Sequence, residues 1–248
     1  FEREIFLRFS TIKKIIMALI FGNKFPFWTM LNFFDSIFKK DNDLEKMNFS
    51  LEIGPHTDLE TLPAVKDVYV TMLPGGDYKE TADKSGDLVK KGFNPVPHFP
   101  ARSINNDEEL KDYVSRCKDQ GVTQALVIGG SREPVGKFDS SYQILETGFF
   151  EGIKIGIAGH PEGSPDIPEQ NLEKAMIDKK PYADYIVTQW LLDSQPIVDF
   201  VSKQSVPVHV GITGPMKISS LIKFANIVGA KNSINFLKSN FTKALDLL

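Results

Sequence analysis

From Asn48 onward the chain alternates between two textures. Short apolar runs rich in valine and isoleucine recur roughly every 20 to 30 residues, at 49–53, 68–73, 95–99, 125–128, 153–158, 185–189 and 206–212. Between them lie polar stretches with helix signals. Asn106, with Glu109 three residues on, has the spacing of a capping box, and Gly121 supplies a stop. Pro168 heads another helix, and 216–228 has helical periodicity. Such strand–helix alternation predicts a parallel sheet covered by helices.

An open doubly wound sheet and a closed (β/α)8 TIM barrel both satisfy this pattern. The chain lacks G-x-G-x-x-G after its first strand and lacks G-x-x-x-x-G-K-[ST], the signatures of nucleotide-binding open sheets. Polar residues stand at the C-terminal ends of nearly every strand, where barrel enzymes build their sites. The expected fold is therefore the barrel, over residues 48–248. The segment 230–248 holds no eighth strand, so the barrel is expected to stop short of closure. Residues 1–47 read differently. Phe21, Phe25, Phe27, Trp28, Phe33, Phe34 and Phe38 crowd this stretch, which is expected to be a helical extension packed on the domain or a partner, with association at a membrane surface as the alternative. Lys13 and Lys14 ahead of the apolar run 15–21 faintly resemble a signal peptide, but no small-residue cleavage site precedes Asn23 and Lys24.

Composition narrows the function classes. The net charge of −3 over 248 residues lacks the basic footprint of a nucleic-acid partner. One cysteine, Cys117, excludes an intramolecular disulfide framework and a zinc site of paired thiolates. The histidines, His56, His98, His160 and His209, are scattered, and no metal centre is expected. No apolar run approaches the roughly 18 residues needed to span a bilayer. The expectation is a cytoplasmic protein with no membrane span, its homo-oligomeric state left open.

Candidate chemistry sits at the strand ends. Alternation puts Phe49, Leu51 and Ile53 on one face and Glu52 with Ser50 on the other, which in a barrel points inward. A carboxylate there is expected to be desolvated and to hold a proton near neutral pH, or else to pair with an interior lysine or arginine. His98 stands between Pro97 and Pro100 in an extended presentation, as a catalyst or as a hydrogen-bonded structural residue. Arg102 either binds an anion or caps the next turn. Gly129, Gly130 and Ser131 form a turn whose amides can cradle an anion, although such turns also use glycine for backbone reasons. His160, Pro161, Glu162 and Gly163 mark a rigid polar loop, and Gln189 ends the sixth strand with an amide able either to read a ring edge or to tie down a neighbouring loop. Cys117 reads as structural.

Taken in order, Phe49-Ser50-Leu51-Glu52, Val70-Thr71, Pro97-His98-Phe99, His160-Pro161-Glu162-Gly163, Ala183-Asp184-Tyr185-Ile186-Val187-Thr188-Gln189 and Gly211-Ile212 resemble the methylenetetrahydrofolate reductase family. The resemblance implies a (β/α)8 barrel that interconverts methylenetetrahydrofolate and methyltetrahydrofolate by hydride transfer, in one-carbon metabolism and methionine biosynthesis. It makes Glu52 the catalytic acid and places Gln189, with Ser131, at the folate substrate. Thr71, His98 and Tyr142 would line a flavin, FAD, with Gly129, Gly130, His160 and Glu162 also on the cofactor side. The Arg-Gly-Asp run of flavin-binding members is Gly129-Gly130-Ser131 here, and the lysine before strand six is displaced, with Asp178 in its place and Lys179 next. These departures resemble a divergent branch that works without flavin, so NADH or NADPH is expected to reduce the folate directly and FAD to bind weakly. Two other readings stay open. One is a non-redox folate-binding or methyl-transfer component. The other is an unrelated barrel lyase or aldolase, which would require a Schiff-base lysine inside a strand.

Overall fold

The computed structural model describes residues 49–164, 167–191 and 194–212. The expected extension over 1–47, the helix over 216–228, the stretch 230–248 and Pro165 lie outside the described residues. All seven expected strands are present. They are β1 (Leu51–Ile53), β2 (Asp67–Val70), β3 (Asn94–Pro100), β4 (Gln124–Ile128), β5 (Lys154–Gly159), β6 (Tyr185–Thr188) and β7 (Val208–His209). They form a parallel sheet in chain order, with helices between, the arrangement of a partial (β/α) barrel. The helices are α1 (Tyr78–Lys90), α2 (Asp107–Asp119), α3 (Ser141–Leu145), α4 (Glu169–Lys179) and α5 (Ser194–Val201). Among the described residues, no helix is long and apolar enough to cross a membrane.

The local signals explain where elements start and stop. The Asn106 side chain accepts from the Glu109 amide at 2.9 Å and opens α2. Gly121 follows its end at φ +85°, a conformation that strains any residue with a Cβ. The first strand is shorter than its apolar run. It begins at Leu51, and Phe49 is exposed.

The chain divides into two compact units, one of Asn48–Gly159 with Glu173–Val187, the other including His160–Leu172 and the chain from Thr188. In the first, β1 to β5 pair in parallel, with Glu52 opposite Tyr69 and Tyr69 opposite Val96. The period of two separates the faces cleanly. Ile53, Val68 and Val70 bury against Leu88 of α1 and Phe93, while Phe99 stacks on Tyr113 of α2 with ring centroids 4.0 Å apart. The opposite, inner face collects Tyr69, Val96, Leu126 and Tyr185. Gly156 exists for this inner face. A Cβ there would lie 2.5 Å from the Tyr185 ring. In the second unit, Leu191 and Ile197 bury with Trp190, Val201 and Val210.

Candidate active site

The inner face carries its polar groups toward the C-terminal ends of β1 to β3. Glu52 lies in register with Tyr69, and His98 is two residues beyond Val96 on the same face of β3. The alternation argument for Glu52 therefore holds: its Oε2 stands 4.0 Å from His98 Nε2. The expected desolvation does not hold. The Glu52 side chain is 63% exposed, because β1 is the end strand of the sheet order and has a described neighbour on one side alone.

His98 is the opposite case. Its side chain is 9% exposed, and Nε2 is buried with no hydrogen-bond partner. The Tyr113 hydroxyl donates to the His98 carbonyl at 2.9 Å, fixing the backbone, and the Tyr69 ring meets the imidazole edge-on at 6.2 Å. Burial holds this imidazole below its ordinary value, and the Glu52 carboxylate opposes the shift. A neutral, buried, unpartnered ring nitrogen beside a carboxylate is an uncommon arrangement, since buried polar atoms are nearly always satisfied. At 4.0 Å the two groups are too far apart to bond directly.

Thr71 sits just past β2, but its hydroxyl donates to the Ile53 carbonyl at 3.1 Å and ties the ends of β1 and β2 together. The turn after β4 is held by Arg102. Its amide donates to the Gly129 carbonyl at 2.9 Å, its Nη1 to the Gly130 carbonyl at 3.3 Å and its Nε to the Asp139 carbonyl at 2.8 Å. Of the two readings for Arg102, the structure therefore shows it fastening the turn. Gly130 has φ +91° and a Cβ there would meet Pro100 at 3.3 Å, so this glycine is required by the backbone. Gly129 faces open space, and Ser131 is exposed beside it. Tyr142 of α3 meets Tyr182 edge-on at 6.1 Å, next to the end of α4. Its neighbouring Glu146 and Asp178 help push the phenol up to about 12. Cys117 is buried within α2, and burial pushes the thiol up to about 12, as suits a structural residue. His160, Glu162 and Gln189 belong to the second unit, where the Gly163 amide donates to the His160 carbonyl at 3.1 Å.

Lys179, which the sequence offers only as a displaced cofactor-side lysine, has a buried side chain although it ends the helix two residues after the exposed Ile177. The signal was its spacing. Leu172, Met176 and Lys179 recur at helical intervals on the less exposed side of α4.

No family model matches the chain. Solved structures of similar fold include a protein described as a lyase/mutase from Burkholderia cenocepacia J2315, at 14% identity over 74% of this chain and 76% of that one, with a TM-score of 0.46. They also include oxaloacetate acetylhydrolase, at 13% identity over 66% and 67% of the two chains with a TM-score of 0.47. The same enzyme bound to 3,3-difluorooxalacetate matches at 10% identity over 71% and 72%, with a TM-score of 0.49.

These comparisons overturn the resemblance to methylenetetrahydrofolate reductases. The neighbours are lyase, mutase and hydrolase barrels, and the reading of an NAD(P)H-dependent folate oxidoreductase is withdrawn. The motifs that carried it have a physical origin in the sheet itself. Val70, Phe99, Tyr185 and Ile186 are core residues. Gly211 is needed because a Cβ there would lie 2.6 Å from the Thr188 carbonyl. At this identity and TM-score, the neighbours' own activities do not pass to this chain either.

Proposed function

We propose that the chain is a barrel enzyme, of the (β/α)8 type, that moves a proton on a small carbonyl compound held at the C-terminal ends of β1 to β4. The observation that carries this reading is the unpartnered, buried His98 Nε2 at 4.0 Å from Glu52 Oε2. In its Nε2–H tautomer, a neutral imidazole donates a hydrogen bond to a carbonyl oxygen. Glu52 then takes the proton from the adjacent carbon, and the C–H electron pair moves through carbon to that oxygen as an enolate. Returning the proton reverses the step. A neutral imidazole suits this task because it donates without being a strong acid that protonates its partner. Gly129, Gly130 and Ser131, fastened by Arg102, supply the loop that would meet the ligand. The reading rests on the first unit alone.

Exchange of α-hydrogens into D2O tests this with no co-substrate. A panel of small aldehydes and α-keto acids is incubated with the protein and followed by proton NMR. At least one should exchange, and Glu52→Gln should slow that exchange by about two to four orders of magnitude, the usual worth of a positioned base. Exchange on no member of the panel, or an equal rate in the Glu52→Gln protein, overturns the reading.

A further inference from the structure

Lys179 is the last residue of α4, and only 5% of it is exposed. Among the described residues its Nζ donates to the carbonyl of Ala158 alone, at 3.4 Å, near the C-terminal end of β5. Three other lysines of this unit face carboxylates: Lys174 bonds Asp178 at 2.6 Å, Lys90 bonds Asp87 at 3.0 Å and Lys91 bonds Glu60. Lys84 and Lys118 donate to the Thr57 and Phe149 carbonyls at 2.9 and 3.2 Å, but neither is buried as Lys179 is. The acids nearest Lys179 in sequence are engaged elsewhere. Asp178 is held by Lys174, and Asp184 accepts from the Ile155 amide at 2.7 Å. A long carbonyl contact is a poor counterpart for a buried ammonium, so the charged form is disfavoured.

We infer that Lys179 is a nucleophilic amine that condenses with the carbonyl group of a small aldehyde or keto acid at the C-terminal end of β5. The neutral Nζ adds to the carbonyl carbon, forming the C–N bond while the carbonyl oxygen gains a proton. That first proton comes from the nitrogen and gives a carbinolamine; the second nitrogen proton passes through solvent to the hydroxyl, which leaves as water as the C–O bond breaks, and an imine remains. Nothing is oxidised or reduced. Burial lowers the amine to about 8, so a substantial fraction is neutral near pH 7.5, whereas an ordinary lysine is almost wholly charged. The Schiff-base lysine that a barrel lyase or aldolase requires is expected inside a strand, whereas Lys179 ends a helix. The inference does not depend on the Glu52–His98 reading.

The probe is glyoxylate with cyanoborohydride, applied to the full folded chain at pH 7.5, with labelling of each lysine read by peptide mass spectrometry. Lys179 should carry the carboxymethyl group at least about tenfold above the exposed lysines, a conservative share of the difference in neutral fraction. Raising the pH toward 10.5 should erase the preference as the other amines lose their protons. Lys179→Met should remove that one label, and Glu52→Gln should leave it unchanged, which separates this inference from the proton-transfer reading. Labelling of Lys179 at or below the level of exposed lysines overturns it.

Discussion

At the scale of single residues, two buried basic side chains, His98 and Lys179, stand behind the two proposals. Desolvation pushes His98 and Lys179 toward their neutral forms, opposed at His98 by the Glu52 carboxylate. For Lys179 the consequence for stability has a definite sign. Its folded value, about 8, lies below the unfolded one, so between those values the unfolded chain binds the extra proton and stability rises with pH. Below about 8 both states are charged, and the burial cost is present in full. Replacing the amine by an apolar side chain of similar length should therefore stabilise the protein at pH 7. For Lys179→Met we expect a gain of about 1–3 kcal/mol in urea denaturation, shrinking toward pH 10.5. A loss of stability at pH 7 would show that the amine is held by more than the Ala158 carbonyl. None of this was legible from residue type alone. Glu52 was assigned to the correct face by alternation but to the wrong environment, since solvent access at an end strand depends on neighbours that a local pattern does not encode.

At the scale of elements, the strands were the most legible part of the chain because burial on both faces writes them as apolar runs. The start of α2 was equally plain, for Asn106 caps it through the Glu109 amide. What local sequence hid was the reason for particular small residues. Gly156 and Gly211 read as pieces of a family signature, yet each leaves room for a neighbour, the Tyr185 ring and the Thr188 carbonyl. Tyr185 is 1% exposed and has no space to withdraw. Gly156→Ala should accordingly cost about 1–3 kcal/mol by overpacking, seen as a lower melting temperature. Unchanged stability would mean that β5 and β6 slide more freely than the described contacts allow. Strand propensity alone would favour the alanine, so the sign of the effect separates the two accounts.

At the scale of the molecule, the parallel sheet in chain order brings residues far apart in sequence to one set of strand ends, which is why Glu52 and His98 meet. The parallel seven-stranded sheet with helices between, the arrangement of a partial barrel, was legible from strand–helix alternation. The chemistry was not, because short strand motifs repeat wherever a barrel needs buried β-branched and aromatic residues and small turns. The account stands on the electrostatic state of one imidazole. Proton NMR titration of the four histidines, with His98 assigned through His98→Gln, tests it directly. His98 should titrate below the ordinary histidine value, and Glu52→Gln should move it lower still, since removing the carboxylate removes the influence that opposes burial. A His98 that titrates at or above the ordinary value, or one indifferent to Glu52→Gln, would contradict the pair and with it the proposed site.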